Sequence, residues 1–377
     1  MTENASVLSV LVVGNFHKAR SSEAFAAKLT AILSSFCRVQ FLDYRKLGIL
    51  RVPELTNALA SHRSPLMRGL RYGLIQLMVA RQVLLGRDTR LLLVLQALMC
   101  LPVLAGRVAG IPCIVMTVQR RYQHDGRGGN LKAAIIALVE RTSLSLANRV
   151  LVESPSIAKT APARFYQDKI VIGGVYVDTP ADLRPEPPSK RPKTFAYVGQ
   201  LSEDKGFDKF AAAMVEVLGR LPHAHALIVG EGILGPIASK LAAADNRVKY
   251  IPGVDHTAVF RLLSGARLLV VPSLSEGLPN VVLESMSMMT PVLATKAGGI
   301  ADIVVEGETG FLLESSSAEC IANRIVETIE REDLDQIAAE AYEDVWSRYS
   351  LGAAVARYAE IMTEVIGDAI ERGQSPN

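Results

Sequence analysis

The chain has 377 residues, 49% hydrophobic and 21% charged, which is material for buried cores and excludes a disordered, coiled-coil or collagen-like polymer. At about 150 residues per domain, the length predicts two domains or slightly more. The net charge of +3 conceals an asymmetry, because residues 1–184 hold 24 Lys and Arg against 11 Asp and Glu, a balance of +13, and the remainder stands at −10. A basic half beside an acidic one predicts that the first meets something anionic, such as a membrane surface or a phosphorylated carrier. No aromatic interleaving, recognition-helix pattern or zinc spacing supports nucleic acid.

The opening residues, MTENASVLSV, carry an acid and no basic region ahead of the apolar run, so no secretory leader is expected and the chain is expected in the cytoplasm. From there short β-type runs alternate with amphipathic stretches. Strands are expected at 7–13, 39–42, 91–95, 113–118, 149–152 and 170–172, and helices at 22–35, 66–85, 131–146 and 156–165. The longest uncharged run, 91–106, spans 16 residues, short of the roughly 20 needed to cross a bilayer. Residues 179–193 contain five prolines and read as a linker, since neither helix nor strand continues through them. A second series follows, with strands at 195–198, 226–229, 248–251, 268–271, 292–294 and 311–313. Its helices fall at 205–220, 234–243, 257–263, 279–288 and 318–331, and two more at 334–346 and 351–370 close the chain. The expectation is an α/β protein of two doubly wound, Rossmann-like domains facing a cleft, with ligands at the carboxyl ends of the strands.

The stretch 270–295, VVPSLSEGLPNVVLESMSMMTPVLAT, carries the most chemistry. A buried strand ends at Pro272-Ser273, a loop holds Glu276 and Gly277, Pro279 suits a first helical turn and Glu284 lies further along the helix. Backbone N–H groups of Gly277, Leu278 and Asn280 at a helix N-terminus suit a phosphate or a sugar hydroxyl. Ionised carboxylates accept hydrogen bonds from vicinal hydroxyls, so Glu276 and Glu284 are candidates to grip one diol each, one on a sugar and one on a ribose. In FAYVGQLSEDKGFDKF, 195–210, a strand runs through Gly199 and Gln200 into a helix. Lys205 near that helix start is poorly placed for the dipole unless it faces an anion such as a diphosphate. Gly230-Glu231-Gly232 is a turn that serves a nucleotide or close strand-to-helix packing equally well. Cys37, Cys100, Cys113 and Cys320 are widely spaced among apolar neighbours and read as buried, reduced thiols. His62, His223, His225 and His256 form no metal spacing and read as surface or core residues, so no metal site is expected.

Together these residues resemble the family 4 glycosyltransferases, retaining enzymes of the GT-B fold, over nearly the whole chain and most closely from Phe195 to Glu314. The pattern is Glu276-x7-Glu284, then Thr290-Pro291-Val292-x-Ala294-Thr295, Gly298-Gly299-x-x-Asp302 and Gly307-x-Thr309-Gly310. The resemblance implies a nucleoside diphosphate sugar as donor, UDP- or GDP-linked, and no cofactor. It implies that Glu276 contacts the transferred sugar, Glu284 holds the ribose and Lys205 neutralises the diphosphate. It also implies an acceptor domain at 1–184, a donor domain at 185–346 and a terminal helix, about 347–377, crossing back to the first. Two departures stand out. Gln200 occupies a position commonly arginine, so another basic group is needed, and the first loop offers Gly14, Asn15, His17, Lys18 and Arg20, of which Lys18 or Arg20 is the nearest cation. Gln119 stands where the family often has a histidine near the reacting sugar, and His124 is the candidate to replace it on the acceptor side.

Residues 63–90 combine leucines at helical spacing with Arg63, Arg68, Arg71 and Arg81 and hold no acid before Asp88, the pattern of a helix lying on anionic lipid; an ordinary amphipathic helix covering the sheet would explain the leucines but not the absence of acids. The resulting expectation is a metal-independent, retaining transferase acting on a lipid-linked or saccharide acceptor, peripheral at the inner face of the cell membrane. A GT-B sugar-nucleotide epimerase and a catalytically lapsed nucleotide-sugar-binding relative remain as alternatives.

Overall fold

The computed structural model describes residues 8–14, 20–43, 65–86, 88–117, 130–159 and 163–372. The chain divides into two compact units, one of residues 1–153, 157–175 and 354–377, the other of 154–156 and 176–353.

The first unit contains β1 (Ser9–Gly14), α1 (Arg20–Ser34), β2 (Arg38–Asp43), α2 (Pro65–Leu85), β3 (Leu91–Val94), α3 (Cys100–Val108), β4 (Cys113–Met116), α4 (Asn130–Leu146), β5 (Arg149–Val152) and β6 (Ile170–Ile172), and the single turn α5 (Pro155–Ala158) is divided between the units. All six strands are parallel, in the order β2-β1-β3-β4-β5-β6. β1, β3 and β4 are buried from end to end, as uninterrupted apolar strands covered on both faces must be. α3 is not among the helices expected from the sequence and is apolar but for Arg107. Its Pro102 sits in the first turn, where an N–H would have no helical acceptor. The helix expected over 156–165 is only the turn α5, followed by a 3-10 turn at Ala163–Phe165.

α2 has two faces. Ile75, Val79 and Val83, spaced by four, are buried in the core with Val13, Leu92 and Val103, whereas Leu77, Arg81, Leu84 and Leu85 are exposed on the other side.

The second unit contains β7 (Thr194–Val198), α6 (Phe207–Arg220), β8 (His225–Val229), α7 (Gly235–Ala244), β9 (Val248–Ile251), α8 (His256–Gly265), β10 (Leu268–Val271), α9 (Asn280–Ser287), β11 (Val292–Thr295), β12 (Phe311–Leu313), α10 (Ala318–Ile329) and α11 (Leu334–Tyr349). Its parallel sheet has the order β12-β11-β10-β7-β8-β9. Phe195, Tyr197, Phe207 and Phe210 pack as an aromatic cluster between β7 and α6, three of the contacts having centroids 5.1 to 6.0 Å apart. α11 continues three residues past the expected end at Trp346 and stops at Ser350, whose hydroxyl accepts from the Ala353 N–H at 3.2 Å as α12 (Leu351–Glu371) begins. From Ala354 onward α12 belongs to the first unit. There Arg149 of β5 pairs with Glu364 at 2.6 Å and with Asp368, and the buried Tyr358 hydroxyl donates to the Gly174 carbonyl.

The proline-rich segment 179–193 is not a loose tether. Arg191 is buried and donates to the carbonyls of Ala266 (2.8 Å), Met288 (2.7 Å) and Glu186 and to the Thr290 hydroxyl (2.6 Å). Burial lowers its guanidinium to about 10, with Glu186 and Asp335 opposing the shift. Replacing it with methionine keeps the bulk and strands these acceptors, each orphaned polar group costing about 1 to 3 kcal/mol. Arg191→Met is therefore expected to destabilise the second unit by about 2 to 4 kcal/mol in a denaturant titration; a loss below about 1 kcal/mol would show that water satisfies the carbonyls.

Candidate functional site

Strand order determines which loops meet. The chain runs outward from β7 through β8 to β9, then returns to lay β10 along the other side of β7. The carboxyl ends of β7 and β10 thus flank the point where the winding reverses, the position at which doubly wound sheets bind ligands. Lys205 follows β7 and Glu276 follows β10, and Lys205 Nζ lies 2.6 Å from Glu276 Oε1 with side-chain exposures of 22% and 13%.

Backbone and hydroxyl ties hold these loops. The Leu274 N–H donates to the Asp204 carbonyl at 3.0 Å, joining the β10 loop to the β7 loop. The Gly299 N–H donates to the Gly277 carbonyl at 2.9 Å, and the Thr295 hydroxyl donates to the Ser273 carbonyl, joining the β11 loop to the β10 loop. Gly299 is required by that approach, since a Cβ there would stand 2.0 Å from the Gly277 oxygen. The buried Tyr197 hydroxyl donates to the Gln200 carbonyl at 2.8 Å and lies 3.4 Å from that of Lys205. Burial, reinforced by the carboxylates of Glu276, Asp204 and Asp208, pushes its phenol well above the ordinary tyrosine range, so it stays a donor.

α9 opens at Asn280 behind Pro279, and no side chain caps it; Pro279 is the cap residue itself rather than part of the first turn. Glu284 lies on the buried face of α9, its side chain 6% exposed, with Oε1 2.8 Å from His256 Nε2. His256 begins α8, whose N-terminus Asp255 caps by accepting from the Ala258 N–H at 2.8 Å, and its ring stands edge-on to Phe260 with centroids 5.3 Å apart. A cation, an uncapped helix N-terminus and two carboxylates suit an anionic ligand that also presents hydroxyls.

The expected site residues distribute as follows. Lys205, Glu276, Gly277, Leu278, Asn280, Gly199, Gln200, Gly230 and Glu231 all fall in loops or first turns at the carboxyl edge of the second sheet, and Glu284 lies in the second turn of α9. Gly199 and Gln200 are exposed, as is Glu231, while Leu278 is buried. Gly230, with φ 138°, lies so close to Gly199 that a Cβ would meet its carbonyl oxygen at 1.9 Å, so strand packing already requires this glycine. In the first unit Gly14 ends β1 and Arg20 begins α1; Asn15, His17, Lys18, Arg63, Gln119 and His124 lie outside the described residues. Arg68 and Arg71 fall within α2.

Other residues of the sequence pattern hold the fold. Thr290 donates to the Leu263 carbonyl and accepts from Arg191. Asp302 accepts from the Ser156 N–H and hydroxyl, both at 2.8 Å, which ties 154–156 into the second unit. Sequence reasoning missed Tyr197, whose signal is a polar tip on a buried strand residue that must find an acceptor. It also placed His256 among surface or core histidines, and no local pattern links that residue to Glu284, 28 positions away. Among the described residues no group of His, Cys, Asp and Glu gathers as metal ligands. Cys37 and Cys113 are buried and Cys100 and Cys320 half-buried, all four free, and burial raises the Cys37 thiol to about 11 and that of Cys113 to about 12.

Residues 192–331 match the family model for glycosyl transferases group 1. The chain is 24% identical to an alpha-D-kanosaminyltransferase of Streptomyces kanamyceticus over 289 residues, 70% of this chain and 73% of that one. It is 27% identical to the lipopolysaccharide core biosynthesis glycosyltransferase LpsE of Rhizobium meliloti over 197 residues, 51% of this chain and about half, 54%, of the relative. Among solved structures, HepE of Anabaena in complex with UDP and glucose is similar across 95% of this chain and 100% of its own, with a TM-score of 0.67 at 18% identity. That likeness shows the fold, GT-B.

Proposed function

We propose that this chain is a glycosyltransferase that moves a sugar from a nucleoside diphosphate to a lipid-linked or saccharide acceptor with retention of anomeric configuration, a reading supported by the match of residues 192–331 to the family model for glycosyl transferases group 1. The observation that carries the reading is the Lys205–Glu276 pair at the winding reversal, beside the uncapped start of α9. HepE, of the same fold, has been solved with UDP and with UDP-glucose, which favours UDP as the carrier here.

In this reading the diphosphate replaces Glu276 as the partner of Lys205, and the freed carboxylate turns to hydroxyls of the transferred sugar. Glu284 accepts from the ribose diol. The acceptor hydroxyl attacks the anomeric carbon from the face that the diphosphate leaves, the bond from that carbon to the phosphate oxygen breaks, and the departing diphosphate takes the hydroxyl proton. Lys205 and the α9 N-terminus stabilise the charge that grows on the diphosphate, and both are fixed before the reaction begins. Stabilisation of this kind uses protein groups and calls for no metal.

The acceptor side rests on the first unit. α2 packs against α3 and α3 against α4, and the outer faces of these helices expose Leu77, Leu84 and Leu85, Leu104 and Val108, and Ile135 and Leu138. Exposed leucines beside arginine on a unit with excess positive charge suit an anionic bilayer surface. LpsE acts in lipopolysaccharide core biosynthesis, which favours a lipid-linked acceptor and a place at the cytoplasmic membrane face. Among the described residues no helix is long and apolar enough to cross a membrane.

Two experiments test these assignments. Glu284→Ala is expected to weaken UDP binding by about 1 to 3 kcal/mol in calorimetry, whereas Glu276→Ala, which frees Lys205, should bind UDP at least as well as the parent while transfer collapses. Equal losses of UDP affinity in both variants would contradict the division of labour. Vesicles containing phosphatidylglycerol should sediment the protein in a salt-sensitive way, because exposed charges are screened beyond about 10 Å at 0.1 M salt. Arg68→Glu, Arg71→Glu and Arg81→Glu together should release it; undiminished sedimentation would leave a soluble acceptor as the better reading.

A further inference from the structure

Glu284 is an acidic side chain only 6% exposed, and an ionised carboxylate so placed is costly unless hydrogen bonds replace its water. His256 supplies one, with Nε2 2.8 Å from Oε1. The carboxylate can only accept, so the ring presents Nε2–H. The two residues come from different elements. His256 is the first residue of α8, reached from β9, and Glu284 lies on α9, reached from β10. Their contact therefore adds a side-chain link between the β9 and β10 connections, in addition to the backbone ties that join the β7, β10 and β11 loops.

The ring is itself held. It stands at 87° to Phe260, one helical turn along α8, and Phe260 is 1% exposed, so the imidazole leans on a fixed core residue. The His256 side chain is nonetheless 54% exposed. A histidine fastened at one edge to the core, bonded to a buried carboxylate and exposed over about half of its side chain differs from a histidine buried to complete the packing.

We propose that His256 is a positioning residue for the donor: it pins Oε1 of Glu284 and so leaves Oε2 aimed for the nucleotide's vicinal hydroxyls. The proposal rests on reading Glu284 as the group that grips the ribose. A flexible carboxylate would have to be ordered when the ligand arrives, and a pre-fixed one spares that cost. The role is distinct from contact with the reacting atoms, since His256 acts through Glu284.

UDP and GDP are titrated in parallel into the full chain by calorimetry, and the tighter-binding nucleotide is used throughout. His256→Ala is expected to raise its Kd about 5- to 10-fold, the effect of losing a hydrogen bond to a charged group. His256→Gln, which keeps an N–H donor at the end of a similar reach, should restore affinity to within about twofold, a recovery that a purely packing role would not give. In a Glu284→Ala background, His256→Ala should change Kd by less than about twofold, because its effect is carried by the carboxylate. Thermal unfolding of each variant well above the temperature of the titration verifies that it is folded during the measurement. If Glu284→Ala weakens binding and His256→Ala does not, the positioning role is wrong while the reading of Glu284 stands. A full His256→Ala loss persisting in the Glu284→Ala background also overturns the role, since the histidine then acts elsewhere. If Glu284→Ala leaves Kd unchanged for both nucleotides, the ribose assignment fails and takes the proposal with it.

Discussion

The candidate site depends on one constraint of connectivity. Because the second sheet winds out to β9 and comes back beside β7, the loops after β7 and β10 are neighbours although some seventy residues separate them, and Lys205 meets Glu276 across that junction, |i−j| being 71. Neither residue is placed by its own loop alone. The Leu274 to Asp204 bond, the Gly299 to Gly277 bond and the Thr295 to Ser273 bond lock three successive connections to one another, so the ion pair is formed by the sheet as a whole.

The state of that pair bears on function. A half-buried ammonium and carboxylate at 2.6 Å satisfy each other, and separating them without replacement would leave two poorly hydrated charges. A ligand that brings both an anion and hydroxyls replaces each partner in kind, the anion for Lys205 and the hydroxyls for Glu276. A plain anion serves only the lysine, and a neutral sugar only the carboxylate. The site is thereby biased toward molecules in which phosphate and sugar are joined, a selectivity that follows from the pair itself. Glu284 is bonded to His256 through Oε1 and takes no part in the Lys205–Glu276 pair, so a ribose can approach it without breaking that pair.

The strands were largely legible because parallel strands buried on both faces are unbroken apolar runs. All twelve lie within two residues of their expected bounds, and the alternation with helices was enough to give the fold class. What escaped the sequence has a common physical character. α3, apolar but for Arg107, begins in the same uncharged run, 91–106, as β3 and has no charged boundary to mark its start. Arg191 looks like one more charge in a proline-rich linker, and only the three-dimensional arrangement shows the carbonyls of Ala266 and Met288 converging on it. Lys205 and Glu276 were legible because each sits at a strand-to-helix junction in a recognisable local pattern, and Glu284 because it follows Glu276 at a fixed spacing into the helix. His256 was not, since what defines it is a partner 28 positions away that the sheet brings close, and Tyr197 was missed although its acceptor, the Gln200 carbonyl, lies only three residues on. Gly230 shows the reverse, a turn residue whose local pattern suggested a ligand and which the backbone of Gly199 already explains.

The most direct test of the account is hydrogen exchange along the backbone with and without UDP. Binding at the winding reversal predicts slowed exchange in 199–206 and 272–284, the two loops that carry Lys205 and Glu276 together with the first turns of α9, while β12 at the edge of the same sheet stays unchanged. UDP that binds by calorimetry yet leaves both loops exchanging at their free rates would contradict the assignment of the donor site to the Lys205–Glu276 junction.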